Sequence, residues 1–314
     1  MMEYTQHQQE LLDKVRDLMA GKGADNKKHS QAEASAKIGI SKTALSQLLN
    51  GTYQANPQKM FETLESYFHV KERTQLTYRE VRYADTCISS EIYDVIGVCH
   101  AKGGLAIAAG DAGIGKTKAA QHYVEEHPTN AILITVNPCL TSIKAVLNEL
   151  AERLGAPAEH SRDRLWRAIV QKLSDGMVLI FDESQHLTLK TIEVLRSFSD
   201  YFNDRGQTLG ICFVGNMDTV AHVGSKKAEF AQIANRTKQT KIYTRMRIQR
   251  SDIVKLFPIL EKEGMEQEID YLLGVAQTPQ ALRGAINLFS NAYDNENYTY
   301  AGLVAMAKFM DMEI

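Results

Sequence analysis

The sequence predicts an α/β fold in which a parallel five-stranded sheet lies between two layers of helices, preceded by a small all-α domain. From residue 105 onward, five apolar segments of strand length alternate with amphipathic segments of helix length, which is the pattern of a three-layer α/β domain. Distinctive polar residues directly follow the first and third of these strands, at the carboxyl ends of the strands, where parallel sheets bind their ligands. Before residue 80 the apolar periodicity is helical.

Composition and charge limit the function classes. The 314 residues are 44% hydrophobic and 24% charged, typical of a globular protein of about two domains. No apolar run is long enough to span a membrane, and the first residues do not resemble a secretion leader, so we expect a cytoplasmic location and no membrane partner. The net charge is −2, but residues 221–250 hold eight cations and one carboxylate, which leaves room for a polyanion site.

Residues 1–70 predict a helix-turn-helix domain. Within residues 31–48, buried apolar positions recur at helical spacing, Gly39 lies at the turn and Ser41 is placed to cap the second helix. The segment resembles the small DNA-binding domains of phage repressors, and the alternative is a helical hairpin that contacts only protein. The donors expected on the exposed side of the second helix, suited to phosphates and base edges, are Lys42, Thr43, Ser46 and Gln47.

A further helix and a linker complete the N-terminal region. Asn56 and Pro57 have the residue types of an N-cap and a first helical position. Residues 71–90 are polar and without clear periodicity, and we assign them to a linker. A helix over residues 91–100 then leads into the first strand.

A phosphate-binding loop follows the first predicted strand, residues 105–109. The segment matches the pattern GxxxxGK[ST] in the strand–loop–helix setting that the motif requires. Glycines let backbone N–H groups turn toward phosphate oxygens, the lysine reaches the β- and γ-phosphates, and the threonine hydroxyl is a Mg²⁺ ligand. The loop predicts ATP and Mg²⁺ as cofactors. Its residues are Gly110, Asp111, Ala112, Gly113, Ile114, Gly115, Lys116 and Thr117.

Two carboxylates end the strand predicted at residues 177–181. Asp182 is expected to hold Mg²⁺ together with Thr117, and Glu183 to act as general base toward the attacking water. Asn216 follows the predicted strand 209–214 and is placed to reach the γ-phosphate and that water. The other predicted elements are strands 131–136 and 240–245 and helices 141–154, 162–173, 189–202 and 229–235.

Residues 90–300 together resemble the AAA+ ATPases. The resemblance implies an AAA+ P-loop domain over residues 91–248 and a small C-terminal helical lid over 249–314. Asn216 matches the sensor-1 position. Arg236, before the fifth strand, matches the region that supplies an arginine finger to the neighbouring subunit, with Arg245 and Arg247 as competing candidates. The sensor-2 position of the lid corresponds to Arg283.

The domain order narrows the resemblance further. A repressor-like helix-turn-helix followed by a compact AAA+ module is similar to the target-DNA activator family of transposable phages, on the stretches GDAGIGKTKAA, VLIFDESQHL, VGNMD, EFAQIANRT and TPQALRGAINL. Ser184-Gln185 departs from the family, which tends to have Ala-Asp there.

The family resemblance implies an ATPase that assembles as a homo-oligomer or filament on double-stranded DNA, with little sequence preference, and delivers that DNA to a transposase. Lys226 and Lys227 are candidate phosphate contacts. A helicase-loader ATPase and an ATP-switched helix-turn-helix transcription regulator remain as alternatives.

Overall fold

The chain divides into two compact units, residues 1–78 and 79–314. The computed structural model describes residues 4–22, 28–76, 83–223 and 236–313. The predicted linker, residues 71–90, includes the end of the last helix of the first unit and the start of the first helix of the second. No helix in the described ranges has the length and apolar character needed to cross a bilayer.

The first unit is a four-helix domain. A single core, including the fully buried Val15, Ala34, Leu45, Leu48 and Leu64, joins all four helices. The predicted helix-turn-helix is confirmed as the second and third of them. The helices are α1 (Gln6–Ala20), α2 (Gln31–Ile38), α3 (Lys42–Leu49) and α4 (Gln58–Leu76).

Local hydrogen bonds set the helix ends of the helix-turn-helix. Ser30 and Glu33 form a capping box at α2, in which the Glu33 carboxylate accepts from the Ser30 N–H at 2.8 Å, and this bond lowers the pKa of Glu33. Gly39 ends α2 with a φ of +85°, a region that disfavours residues with a Cβ. The Ser41 hydroxyl accepts from the Ala44 N–H at 3.1 Å and caps α3, as predicted.

The second unit is built on a five-stranded, fully parallel sheet with the order β2-β3-β4-β1-β5. The predicted three-layer α/β fold is therefore confirmed. The order places β4 between β1 and β3, so the loops that follow these three strands lie side by side at the carboxyl edge. The strands are β1 (Gly104–Gly110), β2 (Ala131–Thr135), β3 (Met177–Asp182), β4 (Leu209–Gly215) and β5 (Thr237–Tyr243).

Helices cover both faces of this sheet and then continue into a helical C-terminal region. Helices α7, α8 and α9 bury one face around Phe181, Phe198 and Phe213, whereas α5 and α6 cover the other face. The helices are α5 (Cys87–Lys102), α6 (Lys116–Glu126), α7 (Ile143–Arg153), α8 (Arg162–Val170), α9 (Leu189–Asn203), α10 (Met217–Val223), α11 (Arg250–Leu256), α12 (Pro258–Lys262), α13 (Glu266–Ala276), α14 (Ala281–Asp294) and α15 (Tyr300–Phe309).

Several element boundaries differ from the sequence prediction; the helix predicted at residues 162–173, for example, ends at Val170. The fifth strand was predicted at residues 240–245 but begins at Thr237 and ends at Tyr243, because β1 sets its extent by pairing Leu105 with Thr237. Helix α5 begins at Cys87 and not at residue 91, because the Thr86 hydroxyl accepts from the Ser89 N–H and caps it earlier. The helix predicted at residues 229–235 lies outside the described residues.

The turn glycine provides a test of the helix-turn-helix. Gly39→Ala should lower the free energy of unfolding of the first unit by about 1 kcal/mol, because a Cβ strains a left-handed residue even where space is free, and no atom lies within 4 Å of that Cβ. Circular dichroism during urea unfolding measures the change. Gly274→Ala is the matched control: its Cβ also meets nothing, but Gly274 lies inside α13, so the substitution should stabilise by about 0.5–1 kcal/mol. Equal effects of the two substitutions would contradict the assignment.

Candidate nucleotide-binding and hydrolysis site

Glycines and one buried isoleucine shape the loop between β1 and α6. Gly113 and Gly115 have φ angles of +75° and +97°, which residues with a Cβ rarely adopt. At Gly110 an added Cβ would lie 2.2 Å from the Tyr243 carbonyl oxygen, so the loop starts in direct contact with the end of β5. Ile114 is fully buried and anchors the middle of the loop. The loop ends at the N-terminus of α6, where free N–H groups and the helix dipole favour an anion.

Lys116 is the cation of the phosphate loop. Its Nζ donates to the carbonyl oxygens of Gly110 at 2.9 Å and Asp111 at 2.5 Å. Burial lowers the pKa of Lys116, and the nearby Glu183 and Asp182 carboxylates act in the opposite direction. The ammonium is therefore held at the mouth of the loop between backbone carbonyls and two acidic side chains, where an anion can replace the carbonyls.

Asp182 and Thr117 lie together, as the sequence predicted. The Thr117 hydroxyl donates to Asp182 Oδ2 at 2.7 Å, and the Glu183 N–H donates to Asp182 Oδ1 at 2.9 Å. Asp182 is 1% exposed, and burial raises the pKa of its carboxyl, while the bonds from Thr117 and Glu183 lower it. A hydroxyl and a carboxylate oxygen in contact are ligands of the kind that Mg²⁺ prefers.

Glu183 is held in an unusual backbone conformation. Its φ of +54° is a left-handed value, which is costly for a residue with a Cβ and is found at functional sites. The Gln185 Nε2 donates to Glu183 Oε2 at 2.5 Å, and the Gln185 Oε1 accepts from the Asn216 N–H at 3.3 Å. Gln185 thus connects the carboxylate at the end of β3 to the end of β4. Sequence reasoning missed this role, although Gln185 lies only two residues after Glu183.

Asn216 lies where the strand order predicts, between the loops that follow β1 and β3. Its Oδ1 accepts from the Asp218 N–H at 2.8 Å, and its Nδ2 donates to Asp218 Oδ2 at 3.3 Å. These bonds hold the amide at the start of α10. Asn216 therefore has a local structural role, and its N–H is connected through Gln185 to Glu183.

The C-terminal helices reach the loop through Arg283. The Arg283 N–H donates to the Gly113 carbonyl oxygen at 3.2 Å, and a Cβ at Gly113 would lie 3.2 Å from the Arg283 Cβ. The Arg283 side chain is exposed. The predicted lid thus touches the phosphate loop directly at the start of α14.

Arg236 lies at the amino end of the parallel strands, whereas the phosphate loop of its own chain lies at their carboxyl end. It directly precedes β5, and β5 runs parallel to β1 from Leu105 to Gly110, a distance of about 17 Å at ~3.3 Å per residue. Its guanidinium Nε lies 3.5 Å from Asp200 Oδ1 on α9. Arg236 cannot contact the phosphate loop of its own subunit.

The other two arginine candidates lie elsewhere. Arg245 contacts Asp111 in its own phosphate loop at 3.4 Å, and Arg247 pairs with Glu91 on α5. The remaining described cations of the basic segment also have partners in the chain: Lys238 donates to the Lys102 carbonyl at 2.5 Å, Lys241 lies 3.5 Å from Glu91, and Arg250 lies 2.9 Å from Asp270. Exposed pairs of this kind are weak, so phosphates can displace them.

The predicted DNA contacts are described in part. On α3, Lys42 and Thr43 are exposed, and Ser46 and Gln47 are half-buried. Lys226 and Lys227 lie outside the described residues.

Comparison with protein families matches two segments of the chain. Residues 100–220 match an AAA domain and residues 25–71 match a helix-turn-helix. The first match spans β1 to α10 and contains the phosphate loop, the β3 carboxylates and Asn216. The second spans α2 and α3 and most of α4.

Curated proteins similar over most of the chain come from Mu-like phages. The ATP-dependent target DNA activator B of Escherichia phage Mu is 25% identical over 277 residues, which cover 86% of this chain and 85% of that protein. The Mu-like prophage FluMu DNA transposition protein B of Haemophilus influenzae is 27% identical over 275 residues, covering 85% and 91%.

Solved structures share the fold at low sequence identity. Cdc6p from Pyrobaculum aerophilum superposes with a TM-score of 0.53 at 18% identity, and the Orc1 protein of Aeropyrum pernix, in complex with DNA, with 0.52 at 13%. The aligned regions cover 70% and 71% of this chain and 65% and 64% of those chains, so this chain spans just under two thirds of each.

Four features indicate ATP hydrolysis: the complete phosphate loop, the contact between Thr117 and Asp182, the adjacent Glu183 and the matched AAA domain. The chain is an ATPase with an AAA domain over residues 100–220 and a helix-turn-helix over residues 25–71, and the curated proteins similar to it are the target DNA activator B and transposition B proteins of Mu-like phages.

Proposed function

We propose that this protein binds double-stranded DNA as an ATP-dependent homo-oligomer or filament, delivers that target DNA to a transposase, and hydrolyses ATP to disassemble. The similarity to phage B proteins over 86% of the chain supports the biological role. The single observation that carries the assembly model is the position of Arg236. It lies at the amino end of β5, whereas its own phosphate loop lies at the carboxyl end of the strands.

The geometry of one subunit supports the proposed hydrolytic roles. Lys116 and the loop N–H groups bind the β- and γ-phosphates, and Thr117 and Asp182 would hold Mg²⁺, which neutralises phosphate charge when bound. Glu183 accepts a proton from the attacking water. Asn216 orients the reacting groups from the end of β4, and Arg283 approaches the phosphates from the lid.

The neighbouring subunit supplies the remaining cation. An arginine finger stabilises charge on the transferring phosphoryl group and contributes about 10³–10⁵ to the rate. Arg236 is exposed, and the side chains of Arg236 and Asp200 are 52% and 27% accessible to solvent, so exchanging Asp200 for a phosphate costs little. ATP at such an interface favours assembly, and its hydrolysis favours release.

DNA binding is assigned to two surfaces. Lys42, Thr43, Ser46 and Gln47 on α3 form the helix-turn-helix surface, and the segment with Lys226 and Lys227 supplies further phosphate contacts. Each contact alone is weak, but an oligomer repeats it many times along the duplex, and contacts to phosphates carry no sequence information. Low sequence preference suits a protein that selects target DNA for transposition.

The first prediction concerns nucleotide-dependent assembly. Lys116→Ala removes the cation that balances the phosphates, so ATP binding and filament formation on DNA should fail together. Electron microscopy with DNA and ATP, ADP or no nucleotide measures assembly. Glu183→Gln is the matched control: it should assemble with ATP but hydrolyse it at least ~100-fold more slowly. Filaments formed by Lys116→Ala with normal ATP affinity would refute the site.

The second prediction separates target capture from operator recognition. With ATP present, affinities for random and promoter-like duplexes should agree within about tenfold and fall steeply with salt. The double variant Lys226→Ala/Lys227→Ala should weaken binding by a similar factor on every sequence, whereas the exposed Lys172→Ala should not. A preference of three decades or more for one sequence would favour the transcription regulator.

The third prediction tests the finger. Arg236→Ala should keep ATP affinity and lose the DNA-stimulated turnover. Mixing it with Lys116→Ala, which has an intact Arg236 but binds no ATP, should restore part of the activity. At one kind of interface, the ATP bound by Arg236→Ala then meets the Arg236 of the Lys116→Ala subunit. Loss of stimulation without rescue in the mixture, or unchanged turnover of Arg236→Ala, would count against the shared site.

A further inference from the structure

Arg245 joins three parts of the molecule at the phosphate loop. It lies in the one-turn 3₁₀ helix (Arg245–Arg247) that follows β5. Its N–H donates to Asp111 Oδ2 at 2.9 Å, and its Nη1 reaches the same oxygen at 3.4 Å. Its Nε donates to the Gln277 carbonyl oxygen at 3.1 Å. The loop, the end of β5 and the turn between α13 and α14 therefore meet at one guanidinium.

Asp111 needs such a partner because of where it lies. It is the second residue of a loop that receives polyphosphate, so an unpaired carboxylate there repels the ligand. Its N–H donates to the Tyr243 carbonyl oxygen at 3.1 Å and is therefore engaged with β5. The N–H and the carboxylate of Asp111 are thus both bound to residues at the end of β5 or directly after it. The side chains of Asp111 and Arg245 are only 28% and 35% exposed.

The contact with Gln277 extends this arrangement to the lid. Gln277 also donates from Nε2 to the Ile248 carbonyl oxygen at 3.2 Å, which fixes the α13–α14 turn to the segment that follows β5. The Arg283 N–H bond to Gly113 is a second link between lid and loop. The lid is therefore held at both the start and the middle of the phosphate loop.

We infer that Arg245 is a positioning residue that acts in its own subunit: it neutralises Asp111 and holds the phosphate loop and the lid in the arrangement that binds a nucleoside triphosphate. This role excludes Arg245 as the finger for a neighbouring subunit. The inference rests on the ATP assignment of the site but not on oligomerisation, because all its contacts lie within one chain.

Equilibrium titration with a fluorescent ATP analogue, at protein concentrations too low for assembly, tests the inference. Arg245→Ala should weaken binding about tenfold, because it leaves the Asp111 charge uncompensated beside the phosphates. Asp111→Asn should stay within about threefold of wild type. The double variant Asp111→Asn/Arg245→Ala should regain most of the loss, a non-additivity that a purely structural role for Arg245 would not produce.

Arg247→Ala is the matched control. It removes an arginine two residues further on that pairs with Glu91 and not with the loop, so ATP affinity should not change. Wild-type affinity of Arg245→Ala, or a double variant as weak as Arg245→Ala alone, would overturn the inference.

A mixing experiment distinguishes action within a subunit from action on a neighbour. At an ATP concentration near the Kd of the wild type, Lys116→Ala mixed with Arg245→Ala should not regain turnover, because Lys116→Ala does not bind ATP and most of the Arg245→Ala sites are then empty. Rescue in that mixture would make Arg245 a finger and overturn the inference. If the mixture of Lys116→Ala with Arg236→Ala also fails, the assembly model is at fault, while the ATP affinities still decide the role of Arg245.

Discussion

The candidate hydrolytic site depends on the space that Gly215 leaves at the end of β4. A Cβ at this residue would lie 2.2 Å from the Thr219 hydroxyl oxygen and 2.6 Å from Gln185 Oε1, far inside contact distance. Because β4 lies between β1 and β3, the loop after β3 packs against α10 at the end of β4, next to Gly215. Any side chain at residue 215 would displace the loop that carries Glu183.

The residues around Gly215 convert that close approach into a fixed geometry. The buried Ser184 hydroxyl donates to the Val214 carbonyl oxygen at 2.8 Å and lies 3.3 Å from the Thr219 hydroxyl. Gln185 continues the network to Glu183 and to the Asn216 N–H. The side chains of Ser184 and Gln185 therefore both bind the end of β4. Glu183 lies within this network with a left-handed backbone, a conformation that persists only where the surrounding structure holds it.

Local patterns in the sequence were sufficient to predict the parts of the site that lie close together along the chain. The phosphate loop and the Asp182-Glu183 pair each follow a strand directly, so hydrophobic periodicity placed them at the same edge of the sheet. Partners far apart in sequence gave no such signal. Arg245 and Asp111 are separated by 134 residues, and their contact depends on the register of β5 against β1. The start of β5 was predicted three residues late for the same reason: its side chains are mostly exposed, so its extent is set by backbone pairing and not by burial.

The exposed face of β5 has a consequence for solubility. β5 is a terminal strand of the sheet, and terminal strands with free backbone groups can add strands from other molecules and aggregate. Its sequence TKQTKIY places exposed lysines at residues 238 and 241, a charge pattern that opposes such pairing. If self-association starts and stops with a nucleotide, as we propose, two lysines on one strand suppress a route to aggregation that no nucleotide could reverse.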